Sequence, residues 1–439
     1  MKETHYTTML KSIHYKTLLL IFLFFSCKKK DEKDEIVPVI NISNPLANSY
    51  YLFNDTIKIR LSASDENELS KIEVNIIDQN GSSVLNSFSQ SFLGIKSKEL
   101  ELQIIVNDIH LNSGNYFISA EAFDGTNLTT VKIPIYIEGT PNKLTHFFAH
   151  IYQNNSHLLL KYDTTFNLIR EVYRKNTDFS FSLNSWYQHV YITDNISVKC
   201  IEITTMQPIW QNQINGINNS FCVSDENSVY VSLANGNCAE FSHQGTLRRS
   251  YLTNETNYFI NQLFITGNFL IINLQNQLNN SFFKTIIFEK GSSLIKSVLS
   301  DNLIYKKGFQ NSQSELFLIA ENSGSLSKIV KWNPINGLTQ DYYVSSSKIN
   351  DAVLTDDNQL VITTADGITK QLSLIEINSI NLLSGNNYKQ LNYSSIYQSV
   401  YAYKNGSIDR LKKLPFSLSQ INQFAFNDSL LHFELLYLK

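Results

Sequence analysis

The feature that most constrains this chain is a repeat. Apolar, strand-like triplets begin near Ala149, Val190, Val229, Phe269, Leu316, Leu360 and Val400, at intervals of 41, 39, 40, 47, 44 and 40 residues. A unit of that size with several short strands cannot cover its own apolar faces, so successive units must pack against one another. A period near 40 with four strands per period predicts a β-propeller over residues 140–439. About 300 residues at this period correspond to about seven blades, with six or eight as the neighbouring solutions.

The repeats share residues as well as spacing. Val223–Val229 (VSDENSV) recurs as Leu354–Leu360 (LTDDNQL), and both are expected to form the turn between the first and second strands of a blade. The segments Ile201–Trp210 (IEITTMQPIW) and Ile329–Gly337 (IVKWNPING) resemble the third-strand and turn segments of quinoprotein-like blades, with the Asp-x-x-x-Gly turn of that family degraded. The last segments, 423–427 and 430–438, leave the period. They are expected to be closing strands that pair with the first blade and remove the open edge of the ring.

Residues 36–139 carry a different pattern. Ile57–Ala63, Ile72–Ile76 and Val131–Ile137 alternate apolar and polar residues, the period of half-buried strands. With further strands at 37–42, 99–106 and 116–123, about seven strands fit the spacing of an immunoglobulin-like β-sandwich. The stretch Leu111–Tyr116 looks like a tyrosine corner, in which the Tyr hydroxyl bonds back to upstream backbone. The Cys and Trp of antibody domains are missing, so the segment resembles the cadherin-like modules of bacterial surface proteins. The fold class expected for the whole chain is therefore all-β, a sandwich followed by a propeller.

In such a sandwich the loops after the second and sixth strands lie at one end. Asp65, Glu66 and Asp124 could then converge on Ca²⁺, a cation that takes several oxygen ligands. Asp-Glu-Asn and Asp-Gly are also common turn sequences whose side chains cap backbone N–H groups, and that is the preferred account of the same residues. No other cofactor is expected.

The N-terminus has Lys11, His14 and Lys16, an apolar run Leu18–Phe25, and then Ser26 and Cys27. Eight apolar residues rise about 12 Å as a helix, against a hydrocarbon core of about 30 Å, so the run is suited to a cleaved secretory signal. The stretch LFFSC resembles the lipobox of bacterial lipoproteins, which implies lipidation of Cys27 after removal of residues 1–26. Several acyl chains on one residue anchor stably where one is marginal. Residues 27–35 follow as a charged tether. Its Lys-plus-acidic composition also resembles export signals that carry some lipoproteins to the outer face of the outer membrane. The expected location is the outer membrane, facing either side.

Charge and motifs narrow the function. The net charge is −3, and the one basic run, Lys28–Lys30, is followed at once by acids, so nucleic acid is not an expected partner. No HExxH, GxSxG, phosphate-loop or dinucleotide fingerprint occurs. Of the four cysteines, Cys200, Cys222 and Cys238 remain if Cys27 is lipidated, and all three sit in apolar strand contexts expected to bury them. His146 and His150 lie on one strand about 13 Å apart, too far to share a metal. Trp186, Tyr187, Trp210 and Trp332 are candidates for a glycan platform, although aromatics at repeated positions more often fill blade cores. The expected function is a membrane-anchored lipoprotein that binds or scaffolds a protein or glycan. Its rivals are a propeller enzyme acting on polysaccharide and an outer-membrane assembly scaffold.

Overall fold

The computed structural model describes residues 36–108, 110–139, 143–214, 221–322, 326–355, 358–376, 379–414, 417–425 and 429–438. Cys27 and the segments read above as leader (1–26) and tether (27–35) lie outside them. Contacts divide the chain into two compact units, Met1–Gly139 and Thr140–Lys439. Apart from one 3₁₀ turn at Ala234–Gly236, every regular element among the described residues is a strand, and no helix is long and apolar enough to cross a membrane.

Among the described residues the first unit has six strands, β1 (Val39–Asn44), β2 (Ser49–Leu52), β3 (Thr56–Ile77), β4 (Phe88–Ile105), β5 (Gly114–Phe123) and β6 (Leu128–Glu138), where about seven were expected. The two alternating segments expected as separate strands, 57–63 and 72–76, are the halves of one strand, β3. Its first half pairs with β1 and with the C-terminal half of β4, whereas its second half pairs with β5 and with the N-terminal half of β4. Pairing lapses between Ser64 and Leu69, where the strand bends. Asp65 shapes the bend by accepting the backbone N–H of Asn67 at 2.6 Å and of Glu68 at 3.1 Å. The inward alternates Ile57, Ile59 and Leu61 of one half and Ile72, Val74 and Ile76 of the other meet in a single core, completed by Ile118, Ile135 and Ile137. The Tyr116 hydroxyl donates to the carbonyl of Asn112 at 2.8 Å, the bond expected of a tyrosine corner.

The second unit is a β-propeller of seven four-stranded antiparallel sheets. Six of them are contiguous in sequence, over residues 180–213, 222–251, 258–299, 304–344, 349–383 and 390–425. The seventh joins the two ends of the unit. The C-terminal strand Ser429–Leu438 pairs with β7 (Lys143–Gln153), followed by β8 (Ser156–Tyr162) and β9 (Leu168–Lys175). Closure thus comes from 429–438 alone. Gln423, expected to belong to the closing segments, lies instead in the fourth strand of the sixth sheet, because it pairs with Asp409 of the same blade.

The seven positions that marked the repeat all fall in the second strand of a blade. That strand is covered on both sides by neighbouring blades, so it is a continuous apolar run where the strands of the first unit alternate. Val190–Ile192, Val229–Val231, Leu270–Ile272 and Leu360–Ile362 are each buried throughout. Fourth strands lie at the outside and are the most exposed, as at Leu168–Lys175 and Pro208–Gln213. In all seven blades the register between third and fourth strands slips, for example at Cys200/Ile201, Glu240/Phe241, Ile287/Phe288 and Arg410/Leu411. A bulge at each outer edge increases the twist there and keeps the exposed strand from pairing with another chain.

Candidate functional site

The first strands of the blades surround the axis, and their polar side chains bond from one blade to the next. Asp351 accepts the backbone N–H of Leu391 at 2.8 Å through one oxygen and the Lys307 ammonium at 2.9 Å through the other. Glu434 accepts the N–H of Leu183 at 2.8 Å. Gln390 accepts the N–H of Phe433 at 3.2 Å, and Asn392 donates to the Phe433 carbonyl at 2.8 Å. Ser180 accepts the N–H of Cys222 at 3.2 Å. These are strands whose facing edges carry no ladder, and side chains satisfy the backbone in its place.

Several polar groups of these first strands are only half-buried. Lys307, Asn350, Asp351, Gln390, Asn392 and Glu434 are all of this kind. His432 joins them, with its Nδ1 2.7 Å from the Gln390 amide and its Nε2 3.2 Å from Glu434. Mixed amides, carboxylates and cations on these first strands offer donors and acceptors to a polar ligand without a dominant charge. Their sequence signal is a polar residue on a first strand matched about one blade period later, visible only when the strands are already aligned. A separate cleft of ≈ 390 Å³ opens between the first two contiguous blades, lined by Asn212, Ile214, Leu233 and Phe241 among others.

Asp65, Glu66 and Asp124, the candidate calcium trio of the sequence, do not form a group close enough to share an ion. Among the described residues the one group of three acidic, His or Cys side chains close enough to share an ion is His150, His157 and Asp178. Asp65 is spent on the bend of β3, with its second oxygen buried. Asp124 caps its own turn by accepting the N–H groups of Thr126 and Asn127, both at 2.6 Å. Glu66 is exposed, and its carbonyl accepts Lys96. Local N–H groups thus claim one carboxylate oxygen of Asp65 and one of Asp124, as in ordinary turn capping.

The aromatic candidates also disperse. Trp332 is buried in a blade core. Trp210 donates its indole N–H to the His243 carbonyl at 2.8 Å and lies flat on Gly245, where a Cβ would come within 2.6 Å of the ring. Gly245 has φ +83°, so that turn requires glycine for its backbone as well as for the close approach. Tyr187 stacks on His243, with ring centroids 3.9 Å apart. Trp186 is half-buried. Asp225, from the repeated turn, accepts the N–H groups of Asn227 and Ser228 and pairs with Lys290 at 2.9 Å. The matching Asp356 and Asp357 lie outside the described residues.

The three remaining cysteines are buried and unpaired, and burial raises all three thiols, Cys200 to about 12. A thiol so rarely ionised is a packing group. Burial acts in the opposite direction on histidines. It holds His146 at about 4, helped by the nearby Lys161, and His189 at about 4, helped by His243. The unfolded chain, with a histidine pKa near 6.5, takes up these protons first as pH falls. The propeller is therefore expected to hold its full stability above about pH 6.5 and to lose it as pH falls toward 4, by about 1 kcal/mol per pH unit for each well-buried histidine. Urea midpoints at stepped pH test this. His189→Gln should flatten the acid slope, and an unchanged slope would contradict the assignment.

No model of a protein family matches the sequence, and no curated protein matches it. Among solved structures, the chain is similar to the β-propeller domain of Cps50 (Swd1) from Myceliophteria thermophila, at 8% identity and a TM-score of 0.43, over 60% of this chain and 96% of that one. It is similar to dihydro-heme d1 dehydrogenase NirN at 9% identity and a TM-score of 0.47, over 64% of this chain and 63% of that one. It is also similar to the computationally designed Ika8 protein, at 10% identity and a TM-score of 0.43, over 66% and 91% of the two chains. These are likenesses of fold, and the propeller itself is established by the seven sheets and their closure.

Proposed function

We propose that this protein is a lipid-anchored binding protein of the bacterial cell envelope, and that the first strands of its propeller blades capture a polar glycan. In this reading Cys27 carries the acyl chains, residues 27–35 are the tether, and the first unit, taken as immunoglobulin-like, is a spacer. The anchor rests on the basic region, the short apolar run and the LFFSC stretch. The ligand class rests on one observation, the half-buried Lys307, Asn350, Asp351, Gln390, Asn392 and Glu434 on the first strands of neighbouring blades. Sugars are bound by such amides and carboxylates, which match hydroxyl groups as donors and acceptors.

The two halves are tested separately. Cys27→Ala should abolish incorporation of a radiolabelled fatty acid, and persistent labelling of the variant would defeat the anchor. The full chain, in detergent, should be retained on a panel of envelope and extracellular polysaccharides, and Asn350→Ala should weaken that retention. Failure to retain any polysaccharide would overturn the glycan reading. Cleavage of a bound one would replace binding by the enzyme reading, and co-purification of a barrel-assembly complex would replace it by the scaffold reading.

A further inference from the structure

The hairpin of β7 and β8 turns at Asn154 and Asn155, which have φ of 50° and 58°. Two consecutive left-handed residues make a tight hairpin that fixes the register of both strands. Tyr152 is thereby set opposite His157, and His150 opposite Leu159, so that both imidazoles project from one face of the sheet as diagonal neighbours. The linker from β9 to the next blade then brings Asp178 over them. Its position is held by Phe179, which stacks on the His150 ring with centroids 4.1 Å apart, and by Asn176, which accepts the Ser156 hydroxyl at 3.2 Å.

Three donor atoms converge as a result. His150 Nε2 lies 3.1 Å from His157 Nδ1. Asp178 Oδ1 lies 3.2 Å from His157 Nδ1 and 3.7 Å from His150 Nε2. Ligands arranged tetrahedrally at about 2.0–2.1 Å from a zinc-like ion are separated from one another by about 3.3–3.4 Å, in the middle of that range. Asp178 Oδ1 also accepts the backbone N–H of Phe179 at 2.9 Å, which fixes that oxygen beside the two rings. A ring nitrogen has a single bonding direction in the ring plane, so His157 Nδ1 cannot make a full bond to both His150 and Asp178.

We propose that His150, His157 and Asp178 form a site for one divalent transition metal of the zinc class, with a fourth position open to solvent. Two imidazole nitrogens and one carboxylate oxygen suit zinc, cobalt or nickel in preference to calcium or magnesium. Access is one-sided. The His150 and His157 side chains are 5% and 16% exposed, whereas Asp178 is 77% exposed, so the open position faces water beside the carboxylate. The three ligands come from β7, from β8 and from the linker that enters the next blade. A bound ion cross-links the sheet that closes the ring to its neighbour.

The test uses the full chain in detergent, purified without a histidine tag and stripped with a chelator. Titration with Zn²⁺ should show one equivalent bound, and Co²⁺ should develop the visible absorption of a four-coordinate ion. His157→Gln and Asp178→Asn should each weaken binding by at least the roughly 10–100-fold that loss of an outer partner costs. Zn²⁺ should also raise the melting temperature of the wild type and not that of the variants. Asp178 is exposed and its replacement spares the core, so Asp178→Asn decides the matter should His157→Gln fail to fold. Absence of Zn²⁺ and Co²⁺ uptake by the wild type would overturn the site, as would uptake undiminished by Asp178→Asn.

Discussion

Deleting the strand Ser429–Leu438 is expected to abolish the cooperative unfolding of the propeller. That strand supplies the first position of the closing sheet and buries Leu430, Phe433 and Leu436. Loss of Phe433 alone corresponds to about 3–5 kcal/mol, and the three together approach the whole margin of about 5–15 kcal/mol that a domain possesses. The deletion also removes the bonds from Glu434 to Leu183 and between Phe433 and Gln390, which hold the closing sheet to its neighbours on both sides. What remains is an unpaired β7 edge with buried-type residues such as Phe147 and Ile151, an edge prone to association. Urea unfolding should lose its sharp transition, and amide exchange should rise first in Lys143–Lys175. A synthetic peptide of residues 429–438 added in trans should restore part of the protection. A truncated chain with an unchanged midpoint would show that the ring does not depend on closure.

Lys404→Met is expected to destabilise the sixth contiguous blade by about 3 kcal/mol. Its ammonium lies 2.7 Å from Asp409 Oδ2, and the same oxygen accepts the Tyr388 hydroxyl at 2.7 Å. Asp409 is fully buried, so removal of the cation leaves a carboxylate with a single hydroxyl for company. Lys404 itself is partly exposed, which places the cost at the lower end of the range for broken buried pairs. The triple variant Lys404→Met, Asp409→Leu, Tyr388→Phe should recover most of the loss, because it removes the charge, the cation and the hydroxyl together. Chemical denaturation of the single and triple variants measures both. If the single variant costs less than about 0.5 kcal/mol, the range of an ordinary surface change, the pair is not a buried one in the energetic sense.

Much of the architecture was legible in the chain because burial on both faces leaves an unmistakable pattern. The second strand of every blade is a short unbroken apolar run, and its recurrence near 40 residues marked all seven blades. The departure of residues 430–438 from that period pointed to closure, since a strand that completes another sheet has no reason to keep its own spacing. Continuity was harder to see. The halves of β3 look like two strands from their alternation, because a bend capped by Asp65 interrupts pairing without ending the chain direction.

The sites divide along the same line. Local capping by Asp65, Asp124 and Asp225 follows from turn chemistry within a few residues, so sequence alone could anticipate it. The polar groups of the first strands and the His150, His157 and Asp178 cluster could not be read in that way. His150 has His146 as the nearest histidine on its own strand, some 13 Å away along the strand rise. Its actual neighbour was His157 across the hairpin, and the third member came from a linker 21 positions beyond that. Sequence by itself determined which segments must be covered on one face or two, and hence the strands, the blade period and the turns. Only the tertiary structure decided which polar side chains meet, because those meetings depend on strand register and on closure of the ring, and a shift of one residue in either would send the same side chains to the opposite face.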